Sequence, residues 1–265
     1  MSNPFSTLET LAVRFEGMVA HVTLNRAEAK NAMNFQMVAD LYTVFTGLRG
    51  NRDVRAILLR GAGGTFCSGG DIKEMRAQSV PDAESRVNLD AMLRAANQAE
   101  QVVVACIEGA ALGGGFGLAC VSDIAIAEAN AVFGLPEVRL GIAPAYISPF
   151  VIQRVGFTRA RELMLTGRRF KGEEARAYGI AHHVAPAEGL QAQIEAVLAD
   201  LRQCAPSAIA STKALMFEVA DKPLDDTVAY RADLLNRLRQ GEEAQEGMRA
   251  FLEKRAPRWA SDDAS

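Results

Sequence analysis

Aromatic side chains and paired cysteines are scarce in this sequence of 265 residues. Only 6% of the residues are aromatic, and there is a single tryptophan. The four cysteines follow no paired spacing, so no disulfide framework is expected. They lie among apolar or small residues, and we expect all of them to be free, buried thiols; they are Cys67, Cys106, Cys120 and Cys204.

An excess of charge and long uncharged runs are also missing. With 29 basic and 32 acidic residues the formal charge is −3, and no run of lysine or arginine favours a nucleic-acid partner. No uncharged run approaches membrane-spanning length, and the first residues lack a signal-peptide profile, so we expect a cytoplasmic protein. The histidines, His21, His182 and His183, have no partners at ligand spacing, which predicts no metal site.

What the sequence does contain is a regular alternation of strand and helix patterns, with 49% hydrophobic residues to form a core. Apolar runs typical of strands lie at 18–24, 56–61, 101–109, 123–127 and 180–186. Helical spacing lies at 31–48, 82–100 and 158–165. This alternation predicts an α/β architecture with parallel pairing.

The last part of the chain has a different pattern. From about residue 206 it is helical almost throughout, with apolar stripes that we expect to pack on the core or on a second subunit. The residues of these stripes are Val228, Leu234, Leu235, Leu238, Met248, Phe251 and Leu252. We therefore divide the chain into a core, 1–200, and a helical region, 201–265.

Two glycine-rich loops, 61–70 and 111–117, each follow a predicted strand. The first lacks the Lys-Ser/Thr pair of a phosphate-binding loop, and the second lacks G-x-G-x-x-G spacing. An acid beyond the second loop, Glu137, leaves a dinucleotide site open as a minor alternative. The loops are either tight turns or a source of bare backbone N–H groups, which stabilise the oxygen of an enolate.

Five segments resemble the crotonase superfamily, the enoyl-CoA hydratases and isomerases, in the order in which that family carries them. They are 25–34 (NRAEAKNAMN), 64–75 (GTFCSGGDIKEM), 109–127, 133–142 and 247–255. The resemblance implies a spiral of strand–strand–helix turns, with C-terminal helices that build trimers, often paired into hexamers. It also implies a coenzyme A thioester as substrate and no separate cofactor.

The same resemblance assigns the catalytic groups. The N–H groups of Gly70 and Gly114 would form the oxyanion hole. Hydratases of this family hold a water between two glutamates, of which this chain keeps one, Glu137. The position of the other is Gly117. One carboxylate is sufficient for a double-bond shift, and it is also sufficient for water addition when it first takes and then returns one proton.

The absence of the second glutamate favours an isomerase, whereas the segment 141–156 favours a hydratase. The stretch 141–156 resembles isohexenylglutaconyl-CoA hydratases of acyclic-terpene breakdown, which implies hydration of a branched, carboxylated enoyl-CoA. Gly117 would then leave room for a large acyl group, and Tyr146 and Arg139 are candidates to face it. The alternatives are a Δ3-Δ2-enoyl-CoA isomerase and an inactive scaffold or RNA-binding protein.

The resemblance also implies contacts with coenzyme A. Lys73 matches a position close to the coenzyme, where a phosphate contact is expected. Arg26 and Lys30 lie in a loop that lines the adenine end in relatives. Phe251 and Lys254 match a pair that reaches the coenzyme bound by a neighbouring subunit. Solvated surface positions are the alternative for all of these residues.

Overall fold

The structure, a computed structural model, describes residues 3–77 and 87–260. The strands of this part are β1 (Leu11–Glu16), β2 (Val19–Leu24), β3 (Ala56–Gly61), β4 (Val102–Ile107), β5 (Ala110–Leu112), β6 (Ile124–Glu128), β7 (Val132–Gly134), β8 (Arg169–Lys171) and β9 (His183–Ala185). Its α-helices are α1 (Phe35–Gly47), α2 (Ile72–Ala77), α3 (Leu89–Asn97), α4 (Gly114–Val121), α5 (Ser148–Thr166), α6 (Gly172–Ala177), α7 (Leu190–Arg202), α8 (Pro206–Val219), α9 (Val228–Gln240) and α10 (Glu242–Glu253).

These strands form one large and one small sheet. The large sheet has the order β1-β2-β3-β4-β6-β9, and the small sheet has the order β5-β7-β8. The predicted parallel pairing is confirmed from β2 through β9 of the large sheet. The first strand, which the sequence pattern did not reveal, adds antiparallel to β2, and β8 adds antiparallel to β7.

The chain repeats one unit as it passes between the two sheets. A strand of the large sheet is followed by a short segment beside the small sheet and then by a helix, as in β4, β5 and α4 or in β3, residues 67–70 and α2. Isolated bridges join the short segments of successive units, Met33 to Gly70 and Cys67 to Ala111. The helix starts of successive units therefore lie side by side at one edge.

The main core lies between the large sheet and the helices that follow it. The predicted apolar face of α1 is buried, with all five side chains at most 2% exposed. These are Met37, Leu41, Val44, Phe45 and Leu48. A second apolar cluster lies on the other face of the sheet, where α7 packs with Leu190, Ile194 and Val197.

Two expectations about buried residues need correction. Cys67, Cys106 and Cys120 are free and buried as predicted, but Cys204 is exposed because it follows the end of α7 at the surface. The helix predicted over 82–100 is confirmed only as α3, and residues 82–86 lie outside the described residues.

The C-terminal stripes are buried only in part within their own chain. Leu234 is 5% exposed, but Leu235, Phe251 and Leu252 are 66%, 83% and 80% exposed. Packing onto a second subunit stays a prediction. The division at residue 200 falls inside α7 and also stays a prediction. No helix in the described ranges has the length and apolarity needed to cross a membrane.

Candidate active site

The peptide between Gly69 and Gly70 is fixed by a neighbouring segment. The Gly69 carbonyl accepts a hydrogen bond from the Met33 N–H at 2.7 Å, and the Asp71 N–H donates to the Met33 carbonyl at 3.0 Å. Because a trans peptide is planar, the Gly70 N–H points opposite to the Gly69 carbonyl, away from Met33. It has no acceptor among the described residues. Gly69 itself has φ 107°, which favours glycine.

A second free N–H comes from the start of α4. Gly114 is the first residue of that helix, so its N–H has no partner within the helix, and the described part of the chain offers no other acceptor. Gly113 before it has φ 49°. A β-carbon on Gly115 would lie 2.6 Å from Cβ of Cys67, so this position requires glycine. The bare backbone lets α4 begin directly against the first loop.

These two loops run side by side in register. A parallel bridge joins Cys67 to Ala111. The free N–H groups of Gly70 and Gly114 each lie three residues after the bridged residue of their own segment. A β-carbon on Gly113 would lie 3.6 Å from Cα of Gly69, so the backbones are in contact at this point. Two amide donors from distant parts of the sequence are therefore neighbours, as an oxyanion hole requires.

Glu137 completes the arrangement. It lies on a 3-10 helix, Pro136–Leu140, that follows β7, and the Gly113 N–H donates to the Gly134 carbonyl at 3.1 Å. Its Oε1 is 3.1 Å from the place that a β-carbon on Gly113 would take. Its Oε2 is buried and has no hydrogen-bond partner in the described part of the chain. Burial raises the pKa of this carboxyl, which suits a group that must accept and return a proton.

The position beside Gly117 is already filled by a side chain. A β-carbon on Gly117 would lie 2.5 Å from Cγ2 of Ile147 and 3.7 Å from Cδ2 of Leu93. Ile147, directly before α5, is 3% exposed. The expectation that Gly117 leaves free room for an acyl group is therefore wrong at this point. An apolar side chain occupies the place from which a second carboxylate would extend.

This contact predicts that Gly117 and Ile147 are energetically coupled. Gly117→Ala is expected to cost about 1–3 kcal/mol of unfolding free energy because the new methyl group overpacks against Ile147. In an Ile147→Ala background, which itself costs about 2–5 kcal/mol, the same change should cost little. Urea unfolding at one fixed protein concentration measures both values.

Gly114→Ala is the matched control for this cycle. It lies on the same helix, and its β-carbon would meet Met33 Sδ at an ordinary 3.5 Å. We expect only a small change in unfolding free energy for it. Equal costs of Gly117→Ala in the two backgrounds would show that Ile147 does not fill the space beside Gly117.

Three residues in the first part of the chain are predicted to contact coenzyme A, and their surroundings differ. The Arg26 side chain is 20% exposed, and its Nη2 donates to Asp71 Oδ2 at 3.0 Å. Lys30 and Lys73 are exposed. Arg26 is thus engaged with the loop that carries Gly70, and the phosphate and adenine contacts of the two lysines stay predictions.

The other candidates lie on three separate elements. Tyr146 is half-buried and immediately precedes Ile147. Nε of Arg139 donates to the Thr166 carbonyl at 2.9 Å, so the structure ties this side chain to the end of α5. Phe251 is exposed on α10 and Lys254 follows the last residue of that helix, so both lie at the surface of the C-terminal region.

Two methionines that the sequence analysis did not single out flank the amide donors. Met33 Sδ lies 3.5 Å from the place of a β-carbon on Gly114, and Met75 Sδ lies 3.1 Å from that on Gly70. Both belong to segments that carry the family resemblance, and that resemblance is the sequence signal that could have indicated them. Ile147 lies in the stretch 141–156, whose resemblance does not show that its side chain packs beside Gly117.

The raised pKa of Glu137 sets the pH dependence of activity and stability. As the predicted proton acceptor, Glu137 has to be ionised, so kcat/KM should fall with decreasing pH through a midpoint above the ordinary 4.5. The folded protein also binds this proton more tightly than the unfolded chain. Its stabilising contribution is therefore complete below the ordinary pKa and is lost as the pH rises through the folded value.

We therefore expect Glu137→Gln to unfold at a higher temperature than the wild type in mildly alkaline buffer, and at an equal temperature in acid. A pH profile of kcat/KM and thermal unfolding at several pH values check the two parts. A midpoint at or below the ordinary glutamate value, or a lower unfolding temperature of the variant in alkaline buffer, would contradict them.

Known proteins resemble this chain in both sequence and structure. The enoyl-CoA hydratase/isomerase family matches residues 14–262. The chain is 33% identical over 254 residues to the probable enoyl-CoA hydratase echA8 of Mycobacterium tuberculosis, covering 96% of this chain and 98% of that one. It is 32% identical over 241 residues to the (E)-benzylidenesuccinyl-CoA hydratase of Thauera aromatica, covering 90% and 94%. The solved structure of Pseudomonas aeruginosa AtuE is 46% identical, with a TM-score of 0.92 and coverage of 96% and 100%.

The chain therefore belongs to the enoyl-CoA hydratase/isomerase family. Its repeating strand–strand–helix spiral, followed by a helical C-terminal region, is the crotonase fold, as the sequence resemblance predicted. The protein is an enzyme of the crotonase type, and its substrate class is the acyl-CoA thioesters.

Proposed function

We propose that this enzyme adds water to a branched, carboxylated enoyl-CoA with Glu137 as its only catalytic acid and base. The observation that carries the proposal is the isolated carboxylate itself. Among the described residues one of its oxygens is buried without a partner, next to a loop with a free N–H, while Ile147 fills the place of a second acid. Isohexenylglutaconyl-CoA is the proposed substrate.

In the proposed reaction one proton passes through Glu137. The carboxylate takes a proton from water while the water oxygen bonds to C3, and the electrons of the C2–C3 double bond move onto the thioester oxygen. The N–H groups of Gly70 and Gly114 stabilise the resulting enolate. Glu137 then returns the proton to C2, which restores the thioester carbonyl. The net change is the addition of one water.

Two observations support a substrate that carries its own carboxylate. The name of the T. aromatica relative gives a hydratase of a substituted succinyl-CoA, which has a second acid group. In this chain Gly117 and Ile147 place no charge where other hydratases of the family carry a glutamate. A second buried carboxylate would repel a carboxylated acyl group at close range.

A Δ3-Δ2-enoyl-CoA isomerase is the second candidate, and the single acid favours it. Glu137 would remove a proton from C2 and return it to C4, while the same two amides stabilise the intermediate enolate. This reaction needs no water in the site. Since both reactions use the same residues, only the products separate them.

The experiment that separates them is mass spectrometry of the products. Purified enzyme is incubated with isohexenylglutaconyl-CoA, with its shorter analogue 3-methylglutaconyl-CoA, and with an unbranched 3-enoyl-CoA. Hydration adds the mass of one water and removes the ultraviolet absorbance of the conjugated thioester. Isomerisation leaves the mass unchanged and increases that absorbance for the 3-enoyl substrate. No turnover of any of the three would contradict both candidate reactions.

We further propose that the protein assembles as a homotrimer or a pair of trimers. The exposed apolar side chains of α9 and α10, Leu235, Phe251 and Leu252 among them, support this proposal. In that assembly Phe251 and Lys254 would lie against the coenzyme A of a neighbouring subunit. Light scattering in solution measures the mass of the assembly.

A further inference from the structure

The segment that carries Gly70 is held on both sides of this residue. As described above, Gly69 and Asp71 both hydrogen bond to the backbone of Met33. The Asp71 carboxylate also caps α2, since its Oδ1 accepts from the N–H groups of Lys73 at 3.1 Å and Glu74 at 3.3 Å. The direction of the Gly70 N–H therefore depends on the pairing of this segment with Met33.

One side chain connects the two paired segments. Arg26 donates from Nη2 to Asp71 Oδ2 at 3.0 Å and from Nη1 to the carbonyl of Ala32, the residue before Met33. Its own backbone N–H donates to Asn31 Oδ1 at 2.9 Å. The guanidinium thus bridges Asp71, which follows the amide donor Gly70, and Ala32, which precedes Met33.

The surroundings of Asp71 favour its ionised form. Burial disfavours the ionised form of Asp71, but the hydrogen bonds from Arg26 and from the N–H groups of Glu74 and Lys73 outweigh burial and lower the pKa of the carboxyl. Both side chains of the ion pair are mostly buried, at 20% and 15% exposed. The pair is a fixed part of the loop, unlike a solvated surface pair.

We propose that Arg26 is a positioning residue of the oxyanion hole: its guanidinium bridge from Asp71 to Ala32 keeps the Gly69–Gly70 peptide paired with Met33 and so aims the Gly70 N–H at the substrate oxygen. This inference rests on the proposed function, since it assigns Arg26 a role in the same site. It differs from a coenzyme contact, which would act on binding and leave the enolate step unchanged.

The test uses a conjugated aryl-acryloyl-CoA as a spectroscopic probe, with its binding followed by titration and its mass checked for added water. Hydrogen bonds to its thioester oxygen polarise the chromophore and shift its absorbance to longer wavelength. In Arg26→Gln we expect a smaller red shift at an unchanged dissociation constant. We also expect kcat to fall between about 10- and 100-fold, less than the roughly 10²–10³ for complete loss of one donor. Arg26→Lys should recover part of the shift.

Arg52→Gln is the matched control, because Arg52 forms an ion pair with Glu100 at 2.5 Å in a loop between α1 and β3. Its shift should equal that of the wild type. If Arg26→Gln does not fold, Asp71→Asn, which keeps the oxygen that caps α2, should show the same smaller shift.

Each other outcome has a distinct meaning. If Arg26→Gln has a higher dissociation constant for the probe but the same red shift as the wild type, the proposal is overturned in favour of a coenzyme contact. An unchanged shift and unchanged kcat would overturn it outright. No red shift in the wild type with the probe bound would instead refute the oxyanion hole itself, and with it the proposed function.

Discussion

Glu137→Gln is expected to lower kcat for hydration by about 10³-fold or more. General acid–base catalysis by one positioned group is typically worth about 10²–10⁴-fold, and in the proposed reaction the same carboxylate both takes and returns the proton. Glutamine keeps the shape of the side chain but does neither. The measurement is steady-state hydration, followed by the loss of absorbance of the conjugated thioester.

Glu162→Gln is the control for this substitution. Glu162 is a glutamate on α5 that pairs with Arg159 and Arg168 at the surface. Its replacement should leave kcat unchanged. If Glu137→Gln retained wild-type turnover, another group would have to move the proton, and Glu137 would not be the catalytic acid and base.

Gly114→Pro is expected to lower kcat by roughly 10²–10³-fold, because proline has no N–H to donate to the thioester oxygen. The first position of a helix is where proline is best accepted, since the N–H there has no helical partner. Gly114→Ala keeps the N–H, and its β-carbon would have only ordinary contacts with Met33. Comparing kcat of the two variants isolates the amide proton from the change of size.

Circular dichroism and thermal unfolding accompany this comparison. A loss of kcat in Gly114→Pro is assigned to the missing N–H only when the variant unfolds cooperatively and binds coenzyme A with wild-type affinity. Under those conditions, equal kcat values for the proline and alanine variants would show that the Gly114 N–H takes no part in the reaction. A large loss in Gly114→Ala alone would point to steric exclusion of the substrate.

The parts of the fold that could be predicted have strong local signals. The apolar run at 56–61 is β3, residue for residue, and the spacing of the apolar side chains in α1 predicted its buried face. The small sheet had no such signal, because strands of three residues are too short to show a period. Its existence follows from the repeated unit, which only the family resemblance implied.

Within the site, the backbone donors could be predicted and the side-chain environment could not. Glycines at 70 and 114 and the acid at 137 stand in local motifs. The filling of the space beside Gly117 depends on Ile147, thirty residues later, and no spacing rule links the two. The contacts of Arg26 were also missed, since a surface arginine and one that bridges two loops look the same in sequence. The stripes of α9 and α10 are largely exposed in the single chain, and their packing onto a second subunit stays a prediction.

The most direct measurement is a crystal structure with a bound, non-reactive acyl-CoA. We predict that its thioester oxygen lies about 2.7–3.1 Å from both Gly70 N and Gly114 N. The Glu137 carboxylate should lie beside the carbons that exchange a proton. A thioester oxygen that hydrogen bonds to neither amide, or an acyl chain that runs on the far side of the loops from Glu137, would contradict this mechanism.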